Sequence, residues 1–459
     1  MSTPLEQQLQ SLNIAPDEIV EQGLSGQDVL ESLARRLCRF LWPRANPDTT
    51  VIRSLGSGNY NTVLEIEING WGKSATWRDS DLTRDLQYPR PHVDENALDE
   101  NGMGTMALRI PRDANSEGLE RTVAVLGYLK KQAAATFPVP KLICHDVTSN
   151  NPLGARYVIM SRIAGSPLRE ILEKGTLQQA QKLTLARELA QFYRQMQGVR
   201  SEVAGEIEAH PGRDLDDGAI MVRAFGSAGG AASRADDNND NNNNNGESGA
   251  KVLVDAFERK LTNAKADANS PLRDFIPHLD MCLLLAKELL RTGLLTDADN
   301  KGGFSLCHTD LFPRNVMVDP PSSSSSTSPI LTGVIDWDET IFAPRFATCQ
   351  PPVWLWQSPG RQADEVEHFG AEWSAADSAE NQEVKRAFEE AMGGGDYDYA
   401  RLAYEPQFVI ARRLLKFARA PTWLWRDWYV AQIQEMRREW EHILNRLQND
   451  SDSGSAVTP

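Results

Sequence analysis

No stretch of the 459-residue chain carries the roughly 20 consecutive apolar residues that a membrane-spanning helix needs. The densest apolar stretch, Met281 to Leu290, contains Lys287 and Glu288 and reads as a helix of a soluble lobe. Met1 to Val20 shows no basic region followed by an apolar core, so no secretory signal is expected and a cytoplasmic location is. Cysteine is scarce: Cys38, Cys144, Cys282, Cys307 and Cys349 are odd in number, scattered and without a C-x-x-C pair, which excludes a disulfide framework or a zinc ribbon. They read as reduced thiols, with Cys307 as core filler. There is no basic excess either. Lys and Arg number 48 against 64 Asp and Glu, a net charge of −16, which argues against nucleic acid or an anionic membrane as a partner. No internal repeat is evident.

What is present is concentrated late in the chain. His308-Thr309-Asp310-Leu311-Phe312-Pro313-Arg314-Asn315 has the skeleton H-x-D-x-x-x-x-N, and Val334-Ile335-Asp336-Trp337-Asp338 follows. Phosphoryl transfer from a nucleotide needs one carboxylate to orient an acceptor hydroxyl and take its proton. It also needs oxygen ligands to hold magnesium against the phosphates. Asp310 fits the first role; Asn315 and Asp336 fit the second, and both supply the hard oxygen that magnesium prefers. The apolar residues on either side, Leu306, Val316 to Val318, Val334 and Ile335, read as short strands that flank the loop.

These segments, from Leu306 to Asn315 and from Gly333 to Asp338, resemble the aminoglycoside phosphotransferase family, a protein-kinase-like group of small-molecule kinases with choline kinases among its relatives. The Trp after the metal-binding Asp is closer to that family than to the D-F-G of protein kinases. The resemblance implies an α+β fold of two lobes, a small β-rich N-lobe and a larger, mostly helical C-lobe. Between the lobes it implies ATP and Mg2+, and a small molecule bearing a hydroxyl as acceptor. The expected segmentation is an N-terminal helical extension over 1–50, the nucleotide-binding N-lobe over 51–160, the catalytic and substrate-binding C-lobe over 161–447, and a disordered tail over 448–459. Residues 226–250, which include the run Asn241 to Asn245, read as a disordered insertion.

The resemblance assigns further residues. Gly56, Ser57, Gly58 and Asn59 sit at the turn of a hairpin, where small residues let backbone N–H groups approach phosphates. Arg109, on the strand Thr105 to Pro111, stands where kinases carry the lysine that grips those phosphates. A glutamate from the following helix normally pairs with that cation. Glu117 and Glu120 are both available, Thr122 falls at the family's position, and Glu120 is placed first. Met160 to Arg162, with Met160 and Ser161 as contacts, form the connector whose backbone meets adenine. His308 is expected to support the loop rather than to shuttle protons, and Asp338 to be an auxiliary metal ligand.

The late tryptophans, Trp354, Trp356, Trp373, Trp423, Trp425, Trp428 and Trp440, read as packing in the C-lobe rather than as a substrate wall. Asp364, Glu365, Glu367 and Glu372 read as a solvated face. Asp336-Trp337-Asp338 leads straight to Phe342-Ala343-Pro344-Arg345 with no activation segment, which disfavours a protein kinase. A nucleotide-binding pseudokinase or scaffold without turnover is the remaining alternative.

Overall fold

The computed structural model describes residues 26–46, 48–57, 60–71, 87–112, 118–132, 138–210, 220–226, 248–295, 303–320, 330–357, 375–393, 398–420 and 427–454. The chain begins there with α1 (Gly26–Leu41), whose apolar residues recur at helical spacing, and continues into β1 (Val51–Ser57), β2 (Asn61–Asn69) and β3 (Met103–Pro111). Next come α2 (Gly118–Lys131), β4 (Leu142–Asp146) and β5 (Tyr157–Ser161). The five strands form one antiparallel sheet in the order β1-β2-β3-β5-β4.

Alternation decides what each face of this sheet does. Leu64, Ile66 and Ile68 of β2 and Met106, Leu108 and Ile110 of β3 are buried, in strict period two. They share a core with Leu30, Ala34, Leu37, Cys38 and Phe40 of α1. Helix α1 is therefore a layer of the N-lobe, and the expected boundary at residue 50 separates no packing unit. Arg109, between Leu108 and Ile110, must face the other way. Its cross-strand neighbour Val158 packs on that opposite face against Leu119 and Val123 of α2.

The chain leaves β5 through residues 162–165 and enters the second lobe at β6 (Ser166–Pro167), which pairs with the strand that follows the H-x-D loop. Gly165 makes that crossing possible. Its φ is +89°, and an added Cβ would lie 2.3 Å from the carbonyl oxygen of Val318. Gly165→Ala is expected to cost stability at or beyond the upper end of the roughly 0.5–3 kcal/mol usual for point substitutions. Gly175→Ala, where φ is +63° but no atom lies within 4 Å, is the control for backbone strain alone. Equal denaturation midpoints for the two variants would show that the close approach to Val318 does not matter.

The C-lobe continues with α3 (Leu168–Lys174), α4 (Gln179–Gly198), β7 (Arg200–Ser201), β8 (Gly205–Ala209), β9 (Ile220–Ala224), α5 (Gly249–Ala266) and α6 (Ile276–Thr292). Then come β10 (Phe304–His308), β11 (Val316–Val318), β12 (Leu331–Val334) and β13 (Thr340–Ala343). Helices α7 (Ala379–Met392), α8 (Tyr399–Tyr404), α9 (Pro406–Arg419) and α10 (Asp427–Gly454) close it. The strands form two small sheets, β7-β10-β13-β8-β9 and β12-β11-β6. The architecture is the expected α+β fold of two lobes, a β-rich one and a larger helical one. Trp354, Trp356 and Trp440 are buried in the C-lobe core, as their packing role requires; Trp373, Trp423 and Trp425 lie outside the described residues, as do Asp364, Glu365, Glu367 and Glu372.

Two expectations about polar segments change. Helix α10 runs to Gly454, so the tail expected from residue 448 is helical for most of its length. Helix propagation from a packed segment is cheap compared with nucleation, and polarity alone does not stop it. The insertion is also narrower than 226–250. The carbonyl of buried Phe225 accepts from Arg259 Nε at 2.7 Å, and that of Gly226 from Asn263 Nδ2 at 3.0 Å. Ser248 caps α5, its Oγ accepting from Ala250 N and donating to Leu295 O. The Asn run itself lies outside the described residues. Replacing 227–247 by a short Gly-Ser linker is expected to leave the melting temperature within a few degrees, because the segment has almost no large apolar residues to bury. Extending the deletion through Ser248 and Gly249 adds the loss of a helix cap, about 1 kcal/mol. A clear drop with the shorter deletion would show that the segment packs.

Candidate active site

Two strand pairings hold the H-x-D loop against the D-x-D turn. At one end His308 of β10 lies opposite Thr340 of β13; at the other Val316 of β11 lies opposite Val334 of β12. Residues 309–315 and 335–339 are thereby clamped side by side. Ile335 N donates to Asn315 O at 2.9 Å, and Thr309 Oγ1 donates to Glu339 O at 2.8 Å. His308 is 5% exposed, and its Nε2–H donates to Ile335 O at 3.0 Å. Burial pulls its pKa down to about 4, so the ring is neutral, which suits a supporting residue and not a proton shuttle.

Trp337 explains why an indole belongs in this turn. It is buried, its Nε1–H donates to Val334 O at 2.8 Å, and its ring meets His308 and Phe192 edge to face. With Trp337 pinned, Asp336 takes φ 66° and ψ 61°, the one left-handed non-glycine residue among those described. Aspartate tolerates that conformation better than most residues.

The loop carboxylate is fixed from two sides. Asp310 Oδ1 accepts from Arg314 Nη2 at 2.5 Å, and Oδ2 from Asn315 Nδ2 at 2.7 Å. Asn315 Nδ2 also donates to Asp310 O at 2.9 Å, so both of these side-chain bonds run through the amide nitrogen. Arg109 crosses from the N-lobe to this turn. Its Nη1 and Nη2 donate to Asp338 Oδ1 and Oδ2 at 3.0 and 2.5 Å, and Nη1 lies 3.3 Å from Asp336 Oδ1. Burial opposes charge on Arg109, but the two carboxylates hold its pKa above the usual value. Burial and the neighbouring Asp338 push Asp336 up, against the pull of Arg109. Asp338 stays below the usual range in spite of burial because the guanidinium grips it.

Other expected contacts differ. Glu120 does not reach Arg109; its carboxylate pairs with Arg156. Thr122 faces the guanidinium instead, with Oγ1 3.5 Å from Nη1. Met160 and Ser161 end β5, which lies between β3 and β4 and so has both edges paired. Ser161 N–H donates to Lys141 O and Arg162 N–H to Thr105 O, so those two backbone donors of the expected adenine contact are engaged within the sheet. Gly56 sits at a register shift in the β1–β2 pairing with open space above it; Gly58, Asn59 and the side chain of Ser57 lie outside the described residues.

Two residues went unnoticed in the sequence. Arg314, four after Asp310, is legible in hindsight from that spacing. Arg419, at the end of α9, donates to Thr309 Oγ1 at 3.0 Å and to Glu339 Oε2 at 2.9 Å, with no sequence signal to announce it. Helix α9 is fixed two turns earlier by buried Arg412, whose guanidinium donates to the carbonyls of Phe346, Leu402 and Ala403.

Residues 95–379 match the model of the phosphotransferase enzyme family, more than half of the chain. The chain belongs to that family. Similar solved structures include an aminoglycoside 2′-phosphotransferase in complex with GDP, at 13% identity and a TM-score of 0.41, covering 88% of this chain and 96% of that one. Choline kinase from Cryptosporidium parvum gives 10% and 0.43, covering 91% and 97%; ethanolamine kinase from Plasmodium vivax gives 11% and 0.40, covering 85% and 82%. Likeness at this level says nothing about the substrate of this phosphotransferase. No curated protein matches it.

The donor set bears on a metal. Among the described residues no three His, Cys, Asp or Glu side chains converge to hold a cation alone. Magnesium does not need such a cage; it takes one or two protein oxygens and fills the rest from phosphates and water. Asn315 and Asp336 suit it as oxygen donors, and two carboxylates, Asp336 and Asp338, share the one Arg109 guanidinium.

Proposed function

We propose that this phosphotransferase uses ATP and magnesium to phosphorylate a hydroxyl group of a small molecule. The observation that carries the reading is the convergence of Asp310, Asn315, Asp336 and Arg109 from three separate segments, the H-x-D loop, the D-x-D turn and β3. Arg109 and the β1–β2 turn would hold the phosphates, and Asn315 and Asp336 the metal. The bound metal would offset charge on the transferred phosphoryl group. Asp310 would accept the acceptor's proton as the hydroxyl oxygen bonds to the γ-phosphorus of ATP, while the bond from that phosphorus to the bridging oxygen breaks and ADP leaves. Two hydrogen-bond donors, Arg314 and Asn315, aim the Asp310 carboxylate.

For the acceptor, a cavity of 730 Å³ is lined by Glu206, Arg223, Lys260, Asp267 and Arg419 among others. Arg419 forms part of its wall and also bonds Thr309, next to Asp310. The volume is in the small-molecule range, and the mixed charges favour a polar, hydroxyl-bearing occupant. A protein substrate is disfavoured because Asp336-Trp337-Asp338 leads straight to Phe342-Ala343-Pro344-Arg345, a stretch that does not resemble an activation segment. Turnover of ATP against a panel of small hydroxyl compounds, with and without magnesium, is the test. Tight ATP binding with no turnover on any compound would favour a nucleotide-binding scaffold; no ATP binding would remove the reading.

A further inference from the structure

In kinase-like sites the strand cation that grips the phosphates needs a carboxylate to hold its side chain in place. Helix α2 offers Arg109 none among its described residues. Glu120 is turned to Arg156, and Arg121 points to Glu206, 2.8 Å away on β8. Thr122 is the residue that faces the guanidinium, and its hydroxyl is spent on Gly118 O at 2.8 Å. A guanidinium only 11% exposed would be costly without a charged partner.

We propose that Asp338, the second carboxylate of the D-x-D turn, is the positioning residue for Arg109, in place of a glutamate from α2. The proposal rests on the nucleotide reading above. Asp338 binds the fork through both oxygens, a geometry that fixes the plane of the guanidinium as well as its position. The same turn that presents Asp336 to a metal thus also holds the phosphate-gripping cation from the other lobe. The approach of the lobes and assembly of the phosphate site become one event, with α2 adding only the uncharged Thr122 hydroxyl among its described residues. On this reading Asp338 serves Arg109 rather than a metal: both its oxygens accept from the guanidinium, whereas Asp336 meets it through Oδ1 alone, at 3.3 Å.

Four variants test this by ATP titration in the presence and absence of magnesium: Asp338→Asn, Asp338→Asn with Thr122→Glu, Arg109→Met, and Arg109→Met with Asp338→Asn. Asp338→Asn should weaken magnesium-free ATP binding by roughly 10- to 100-fold, as expected for loss of a bidentate charged pair, and leave the fold-gain from magnesium unchanged. Thr122→Glu should restore most of the lost affinity, because it returns a carboxylate to Arg109 from the helix. In the Arg109→Met background Asp338→Asn should have no further effect on affinity. That pair removes both members of the Arg109–Asp338 bridge and leaves only Asp336, whose side chain is 43% exposed, without the guanidinium, so it reports even if Asp338→Asn alone does not fold. A loss of the magnesium gain in Asp338→Asn, an additional loss in the Arg109→Met background, or no rescue by Thr122→Glu in folded protein would each overturn the proposal. If the wild-type protein binds no ATP in either condition, the nucleotide reading fails and this proposal with it.

Discussion

Asp310→Asn is expected to lower phosphoryl transfer by roughly 10²–10⁴-fold, the usual contribution of a general base, while fold and ATP affinity remain close to wild type. The asparagine keeps the shape of the carboxylate and one oxygen, so the hydrogen bond from either Arg314 or Asn315 survives. It removes the only function that amide chemistry cannot replace, acceptance of the hydroxyl proton. The lost ion pair with Arg314 costs little, since that guanidinium is 43% exposed and solvent screens it. The variant should show the unchanged melting temperature and ATP titration of an intact protein with turnover reduced on every accepted acceptor. Wild-type turnover would remove Asp310 from the chemistry. Loss of folding would instead mean that the loop needs its charge for structure.

Much of this site was legible because its parts are local. Asp310 and Asn315 share one loop, Asp336 and Asp338 share one turn, and the short apolar runs on either side could only be strands. Helix α1 and strands β2 and β3 followed from their periods of 3.6 and 2. What stayed hidden depends on contacts distant in sequence. Arg109 and Asp338 are 229 residues apart, and Arg419 and Thr309 are 110. No spacing rule reports a partner at that distance. The failure at Glu120 is instructive, because the sequence offset already pointed to Thr122. A preference for a charged residue outweighed the register, and the helix geometry sided with the register. The engagement of the Ser161 and Arg162 backbone donors was hidden for a related reason. As a strand, β5 was legible, but its place between two partners was not, and that place decides which backbone groups are free. The limits of the insertion and the tail were misjudged because composition describes whole segments, whereas single contacts such as the Ser248 cap decide where order begins.

Asp336→Asn and Asp338→Asn are expected to give opposite signatures although they lie two residues apart. Asp336 is held in the left-handed region by the pinned Trp337, and asparagine tolerates that backbone almost as well as aspartate. Asp336→Asn thus removes charge without strain, whereas Asp336→Ala adds about 1 kcal/mol of backbone cost. With the carboxylate gone, the magnesium-dependent gain in ATP affinity should fall by more than the roughly 10–100-fold that loss of an outer partner of a metal ligand costs. Magnesium-free ATP binding should hold or improve. A negative group beside the phosphates has been removed, and the edge of Arg109 that now lies 3.3 Å from Asp336 is released to face them. Asp338→Asn should do the reverse, with magnesium-free binding weakened and the magnesium gain kept, because its oxygens serve Arg109. Titration of ATP with and without magnesium separates the two on one instrument. If Asp338→Asn abolishes the gain and Asp336→Asn does not, the two carboxylates have exchanged roles. If neither changes it, the metal site lies elsewhere, and a nucleotide-binding protein without turnover becomes the better account of this fold.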